Sequence, residues 1–310
     1  NSLRGLSQGL FSENYPGAVD TIPLMNNVKT AVLLGFMGGL FVAVGYALGA
    51  GSGATIALVI AVVFNFGVYW FSDRMALAAA RARPVEEHEM PEVYAMVRSL
   101  AQREDMPMPR IYFIESQQPN AFATGRNPKH AAIAVTRGIL EMMNQAELEG
   151  VLAHELAHVR TRDILLSTIA ATIGAALSFL ARMYFWGGMG RRRDNNGASL
   201  IIGLVAMILA PIAAAVIQMA ISRSREYQAD RSGVESTGSP MALASALAKL
   251  ERGSQIPMKV DPAVSQLFIA DPLKAFGNRR QGGGFARMFS THPPISERID
   301  RLEKMQMGIR

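Results

Sequence analysis

The chain has 310 residues, of which half are apolar and only 18% are charged. Soluble proteins normally carry about 25% charged residues, so we expect part of the chain to be embedded in a membrane. The net charge of +6 is modest, and no basic stripe with interleaved aromatic residues is present, so we expect no nucleic-acid partner. The chain has no cysteine, which excludes disulfide and thiol chemistry.

Residues 1–24 are mildly polar and contain two prolines. They lack the basic start, apolar run and small-residue cleavage site of a signal peptide. We expect a flexible extension, either a leader or an artificial addition, with no bearing on function.

Residues 25–74 are predicted to form a transmembrane hairpin. No charged residue occurs from Thr30 to Ser72, and the glycine-rich stretch 49–53 divides this run into two halves of about 19 residues, each long enough to span a bilayer core. A buried hairpin of a soluble protein is the alternative, and the length of the apolar run disfavours it.

Residues 75–163 have the pattern of a soluble α+β unit. Pro91 can begin a helix that runs to about Glu104. Residues 110–114 and 131–135 have β-like composition. Residues 120–125 between them are expected to form a turn or a short strand.

The most informative motif is His154-Glu-Leu-Ala-His158. Histidines four residues apart on a helix project from one face, where two neutral imidazoles can bind one Zn²⁺. Glu155 can then take the proton of a zinc-activated water that attacks a peptide carbonyl. Asn144 and Glu147 have the spacing of a capping box, which predicts the start of this helix. The alternative is a surface helix with two unrelated histidines, but the residues that fill the motif are apolar.

A catalytic zinc site usually has three protein ligands and one open position. The best candidate for the third ligand is Glu226, with Asp230 four residues later on a predicted helix. Asp230 could accept the outer N–H of a zinc-bound imidazole and so fix its tautomer. Such a Glu/Asp pair is more often a solvated helix face, so it needs support from its context.

These motifs, with hydrophobic segments before and between them, resemble the HtpX family from about Met25 onward. Two further stretches are shaped like family motifs: Asn120-Ala-Phe-Ala-Thr-Gly125 and Thr291-His-Pro-Pro-Ile-Ser-Glu-Arg298. The resemblance implies a membrane-anchored, gluzincin-type zinc endopeptidase related to the CAAX prenyl proteases.

The resemblance also implies the site and the setting. It assigns one Zn²⁺ per chain to His154, His158 and Glu226, and the role of general base to Glu155. It implies stress-related quality control of misfolded or damaged membrane proteins in a bacterial inner membrane.

Residues 164–222 are predicted to form a second transmembrane hairpin between the two zinc-binding helices. It contains eighteen uncharged residues from Ile164 and twenty-three that end at Ser222. Along a helix, His158 lies about 7–8 Å before the first span and Glu226 about 6 Å after the second. The two motifs therefore come out at the same height above the bilayer, which supports Glu226 as the third ligand.

The charges predict the orientation of the chain. An even number of spans returns all catalytic segments to one side of the membrane. Basic residues flank the spans on that side, which by the positive-inside rule is cytoplasmic: Lys29, Arg74, Arg81, Arg83, Arg160, Arg162, Arg223 and Arg225. In this topology, Arg182 and the arginines at 191–193 fall on the opposite side, contrary to the positive-inside rule. Whether the second hairpin crosses the membrane completely is therefore left open.

An edge strand beside the cleft of a zinc protease lets an extended substrate add as a further strand. We expect this role for the stretch from 120 to 135, whose alternative is an ordinary hairpin. The candidate substrate-binding residues are Asn120, Ala121, Phe122, Ile133 and Val135.

Residues 223–310 are expected to form the second half of the catalytic domain, with a helix over 241–250. His292, followed by two prolines that stiffen the chain, could stabilise the oxyanion or transiently occupy the open position of the zinc; a surface-loop histidine is the alternative. Arg298 is expected to orient Asp230 or Glu226.

The predicted fold class is α+β and mainly α-helical, a zincin-like domain with four membrane helices. The predicted function is cleavage of membrane-protein or unfolded polypeptide substrates near the cytoplasmic surface. An intramembrane metalloprotease is disfavoured by charged residues around the motif. A membrane scaffold or chaperone-like protein with structural zinc would use His292 as a fourth ligand, but it has no need of Glu155. Substrates, cleavage preference and oligomeric state are left open.

Overall fold

The computed structural model describes residues 18–169, 171–172, 223–277 and 293–308. The first helix, α1 (Ala18–Ala79), doubles back on itself because Gly49 and Ala50 have non-helical backbone angles. Asn65 Nδ2 on the second leg donates a hydrogen bond of 2.9 Å to the carbonyl of Leu34 on the first. Helix α1 begins at Ala18, so residues 18–24, which were expected to belong to a flexible extension, are helical.

Both legs of α1 are long and apolar enough to cross a membrane, at Leu24–Ala43 and Gly49–Ala79. Large apolar side chains on the second leg, including Val59, Val63 and Phe66, are more than half exposed in the protein alone. Such a continuous apolar surface fits contact with lipid. The predicted hairpin over 25–74 therefore has the shape and surface expected of a membrane anchor.

Of the predicted second hairpin, only residues 164–169, 171 and 172 are described, and they are helical. Leu165, Leu166 and Ile169 pack against Leu33 and Val68 of α1. The remainder of 164–222, with its arginine-bearing loop, lies outside the described residues.

The small sheet consists of β1 (Arg83–Pro84), β2 (Arg110–Ile114), β3 (Ala121–Gly125) and β4 (Ala131–Thr136) in the order β1-β2-β4-β3. Strand β4 lies parallel to β2 and antiparallel to β3, which forms one edge. The 3₁₀ turn Pro128–His130 joins β3 to β4. At the end of β3, Gly125 has φ +144, and an added Cβ would lie 2.5 Å from the carbonyl oxygen of His130, so only glycine fits there.

The other helices are α2 (Pro91–Arg103), α3 (Arg137–Met142), α4 (Gln145–Thr161), α5 (Arg223–Thr237), α6 (Pro240–Gly253), α7 (Lys274–Gly277) and α8 (Ile295–Gln306), and a further 3₁₀ turn spans Pro262–Leu267. One face of the sheet contributes Ile133 and Val135 to a core shared with α2, α4, α6 and α8. The other face places Phe122 against the end of α1 and against Phe268.

The predicted capping box of α4 is present. Asn144 Oδ1 accepts from the Glu147 backbone N–H, and Glu147 Oε2 accepts from the Asn144 backbone N–H, both at 2.9 Å. The Glu147 carboxylate also binds Lys249 Nζ and Ser245 Oγ of α6, each at 2.6 Å. The start of α4 is thus fixed both locally and to the neighbouring helix.

Candidate metal centre

The three predicted ligands converge at the contact between α4 and α5. His154 Nε2 and His158 Nε2 lie 3.2 Å apart. The carboxylate of Glu226 approaches these two nitrogens to 3.8 and 3.6 Å, respectively. All the candidate ligand atoms lie within 4.8 Å of one another, which is compact enough for one metal ion.

Close packing of α4 against α5 makes this convergence possible. A Cβ at Gly233 of α5 would lie only 3.1 Å from the backbone nitrogen of His154, so a larger residue would push the helices apart. Arg160 of α4 reinforces the contact by donating to Ser232 Oγ of α5 at 2.9 Å.

The outer nitrogen of each imidazole is held by a carboxylate. His154 Nδ1 lies 3.0 Å from Asp230 Oδ1, and His158 Nδ1 lies 3.0 Å from Asp163 Oδ2. Because a carboxylate accepts hydrogen bonds, it favours the proton on Nδ1 and leaves the Nε2 lone pair facing the cluster. Asp230 was predicted for this position, whereas no role was predicted for Asp163.

Arg298 on α8 is completely buried behind the cluster. Its Nε donates to Asp230 Oδ2 at 2.8 Å and its Nη2 to Asp230 Oδ1 at 2.6 Å. Its Nη1 lies 3.4 Å from Glu226 Oε2. Arg298 was predicted to orient either Asp230 or Glu226, and its guanidinium contacts both.

The two histidines have opposite pKa shifts. Burial, with a further contribution from Arg298, lowers the pKa of His154 despite its contact with Asp230. Burial also acts to lower the pKa of His158, but the negative charges of Asp163 and Glu226 outweigh it and raise the pKa to about 10. The cluster therefore attracts a cation, which is either a proton or a metal ion.

The donor set fits zinc. When both Nδ1 atoms carry protons, the two Nε2 lone pairs cannot hydrogen-bond to each other, and a cation between them removes the conflict. Zn–N bonds of 2.0–2.1 Å in a tetrahedral site place two nitrogens about 3.3 Å apart, close to the observed 3.2 Å. Two imidazoles and one carboxylate are also typical of catalytic zinc.

Glu155 lies between the zinc-ligand candidates and the sheet. Its side chain is buried, and its Oε2 accepts a hydrogen bond of 2.8 Å from the backbone N–H of Ala123 in β3. This bond ties the predicted general base to the edge strand. The sequence predicts both elements near the cleft but not the bond between them.

Most of the candidate substrate-binding side chains are engaged elsewhere. Asn120 is buried, and its side chain bonds the backbone of Ala270 through Nδ2 at 2.7 Å and Oδ1 at 3.2 Å. The ring of Phe122 packs on Phe268 with centroids 4.8 Å apart. Asn120 and Phe122 thus hold the segment near residue 270 against the sheet.

Ile133 and Val135 are buried in β4, which is hydrogen-bonded to a strand on each side. A substrate cannot add to a strand that is already paired on both sides, so the expectation that these two residues contact substrate is wrong. Among the described residues, the sheet edge formed by β3 is open only in part, because the Ala121 carbonyl accepts from the Ile269 N–H at 3.1 Å and the Ala121 N–H donates to Asn120 Oδ1 at 3.1 Å. His292 lies outside the described residues.

The chain is mainly helical and has a small sheet, a histidine-glutamate cluster and an apolar hairpin. Together these features define a membrane metalloprotease of the zincin-like class. A model described as "Peptidase family M48" matches residues 87–306. Proteins named "Protease HtpX homolog" from Burkholderia thailandensis, Burkholderia mallei and Burkholderia pseudomallei are each 51% identical, over 91% of this chain and 98% of their own length. The chain therefore belongs to peptidase family M48 and, within it, to the HtpX family.

Among solved structures, the chain is similar to the crystal structure of S. mikatae Ste24p. The sequence identity is 20% and the TM-score is 0.47. The similarity covers 91% of this chain and 67% of that one.

Proposed function

We propose that the chain is a zinc endopeptidase in which His154, His158 and Glu226 hold one Zn²⁺ and Glu155 is the general base. One observation carries the proposal: both Nε2 atoms and the Glu226 carboxylate converge, while separate carboxylates hold both Nδ1 atoms. Membership of a metallopeptidase family supports the same reading.

Zinc bound there would supply Lewis acidity, which lowers the pKa of water and polarises a peptide carbonyl. The side chains of the chain would do the remaining work. Glu155 takes the proton of the attacking water and passes it to the leaving amine. Asp230 and Asp163 keep the imidazoles in the tautomer that binds metal. Arg298 holds Asp230 in place and neutralises part of the acidic charge.

The edge of β3 beyond Ala121, from Ala123 to Gly125, is the proposed binding site for substrate. An extended peptide that pairs with the backbone of β3 would lie beside Glu155, because the Ala123 N–H already contacts this carboxylate. Recognition through the main chain accepts many sequences, which suits unfolded polypeptides. Ala121 lies outside this pairing site, because its backbone is already bonded to Ile269 and Asn120.

The proposed setting is the cytoplasmic face of a bacterial inner membrane, with misfolded or damaged membrane proteins as substrates. The basic residues that flank the spans support this orientation. The short link between α1 and the sheet keeps the site close to the bilayer, which favours membrane-tethered chains over free ones. A non-proteolytic scaffold with structural zinc is the second candidate, and it depends on a fourth ligand such as His292.

The test is proteolysis of casein by the detergent-purified protein, with zinc content measured on the same samples. Glu155→Gln removes the base but none of the proposed ligands. Glu149→Gln is the matched control, because Glu149 lies on the same helix and pairs with Arg103 at 3.1 Å near the surface.

We expect the wild type and Glu149→Gln to cleave casein, and Glu155→Gln to hold one zinc without cleaving. Chelation should abolish the activity, and added Zn²⁺ should restore it. If all three proteins retain zinc tightly and none cleaves, the scaffold function replaces the protease function.

A further inference from the structure

Two aromatic residues stand at the end of the uncharged run on the second leg of α1, which itself continues to Ala79. Trp70 and Phe71 are 42% and 47% exposed and directly precede the first charged residues after the apolar run, Asp73 and Arg74. Trp at such a boundary is typical of the level where lipid headgroups meet the hydrocarbon core. Trp70 therefore marks the height of the membrane surface on the catalytic side.

The β3–β4 hairpin reaches this level. Phe122 in β3 and Ala132 in β4 share a core cluster with Ala76 and Leu77 of α1. At the tip, the guanidinium of Arg126 lies 4.4 Å from the ring centroid of Trp70. The hairpin thus follows α1 towards the bilayer, from the level of Leu77 to that of Trp70.

The tip, defined as residues 126–130, is basic and has a fixed shape. Arg126, Lys129 and His130 are its ionisable residues, and Lys129 and His130 are exposed. His130 N–H donates to the Asn127 carbonyl at 2.9 Å, and the two side chains also approach to 2.9 Å. Both features suit binding of an anion by a pre-formed surface.

The acidic residue nearest to the end of the apolar run does not cancel the charge of the tip. Asp73 is bound by Arg110, whose Nη2 lies 2.7 Å from Asp73 Oδ2. Arg74 adds a further positive charge beside Phe71, with its guanidinium 5.8 Å from that ring. The membrane-facing end of the sheet therefore carries an excess of positive charge.

We propose that the tip, through Arg126 and Lys129, binds the phosphate headgroups of anionic phospholipids. Each basic side chain near an anionic membrane surface favours binding by about fivefold. The contact would hold the end of β3 at the bilayer surface. Ala123, whose N–H binds Glu155, is two residues from Gly125 and so about 7 Å along the strand from the tip.

Trp70 provides a native reporter for this contact. The chain contains two tryptophans, and Trp186→Phe leaves Trp70 alone. The full-length protein is placed in nanodiscs of unlabelled lipid with a minor fraction of brominated phosphatidylglycerol or, in parallel, brominated phosphatidylcholine. Bromine quenches tryptophan fluorescence at short range, so the ratio of the two quenching efficiencies measures which lipid gathers at the tip.

We expect several-fold stronger quenching by phosphatidylglycerol, and equal quenching by both lipids when Arg126→Gln and Lys129→Gln are combined. Arg126→Lys keeps the charge and should keep the preference. Arg252→Gln with Lys304→Gln, which removes two exposed charges from α6 and α8, should also leave it unchanged. Equal quenching in the parent protein would overturn the proposal, as would a preference that survives the double change at the tip. The readout does not depend on proteolysis, so it is independent of the zinc chemistry.

Discussion

His154 and His158 occupy the same face of the same helix, yet two different regions of the molecule support them. His154 is almost completely buried; Asp230 of α5 holds its Nδ1, and Arg298 of α8 in turn holds Asp230. The side chain of His158 is 16% exposed, and Asp163 holds it from only five residues away. One ligand is therefore oriented by tertiary assembly and the other by the local chain.

The difference indicates how the site depends on folding. His158 and Asp163 can adopt their contact as soon as α4 and the residue after its end are formed. The orientation of His154 requires helices from both ends of the second half of the chain, 223–308, to dock on α4. We therefore expect the His154 side to be more sensitive to substitution.

Removal of either histidine ligand should have the largest effect on zinc binding and activity. His154→Ala and His158→Ala each remove one of three ligands, so we expect both to lose stoichiometric zinc and casein cleavage. Metal analysis after dialysis measures this directly. Retention of one tightly bound zinc by either variant would show that its imidazole is not a ligand.

The next largest effect is expected from Arg298→Ala. It leaves Asp230 buried without its guanidinium partner, which should lower the free energy of unfolding by about 3–5 kcal/mol. Denaturant unfolding in detergent measures the change. Arg301→Ala is the control on the same helix. It removes the stacking of Arg301 on Tyr227, and loss of such a contact destabilises a protein by only about 0.5–1 kcal/mol. Equal losses from the two variants would contradict the assigned role of Arg298.

A smaller effect is expected from the two carboxylates that hold the imidazoles. Asp230→Asn and Asp163→Asn keep size and burial but weaken the hold on Nδ1, and such changes reduce metal affinity by about 10–100-fold. We expect the loss of zinc affinity to be about 100-fold for Asp230→Asn and about 10-fold for Asp163→Asn. Competition with a zinc chelator gives both affinities. The reverse order would refute the contrast between tertiary and local support.

The smallest effect concerns the start of α4, which carries both histidines. Burial would raise the pKa of Glu147, but its bonds to Lys249, Ser245 and the Asn144 backbone N–H outweigh burial and lower it. A lowered folded-state pKa contributes stability that is complete above the unfolded pKa of 4.5 and is lost as pH falls through the folded value. Glu147→Gln should thus destabilise the protein by about 1–2 kcal/mol at neutral pH.

That deficit should shrink as the pH is lowered below 4.5, because the wild-type carboxylate then becomes protonated. Unfolding measured at several pH values checks the trend. Glu149→Gln should change stability by less than about 1 kcal/mol, since its ion pair is near the surface. A pH-independent deficit for Glu147→Gln would show that charge is not the cause.

Local signals in the sequence predicted much of this fold. The capping box predicted the start of α4, the proline before Glu92 predicted α2, and β-like composition located β2 and β4. The hairpin break at Gly49 was also predicted, because an uncharged run of this length must turn. These features depend on short-range chemistry that residue types report directly.

The sequence could not show which side chains of the stretch 120–135 face the cleft. That depends on strand order, and β4 lies inside the sheet because β2 pairs with it across a long separation. Asn120 was assigned to substrate because its motif suggested function, whereas its amide completes the backbone hydrogen bonding of Ala270. Asp163 escaped notice because its value as a partner of His158 arises only from the turn after α4.

The most direct test of the zinc site is X-ray absorption at the zinc edge on the Glu155→Gln protein, which should retain metal without cleaving itself. Scattering from imidazole rings counts histidine ligands. We predict two imidazoles and oxygen in the remaining positions, as expected for His154, His158, Glu226 and a position open to solvent. A third imidazole would contradict the account, because it would indicate a closed, structural site.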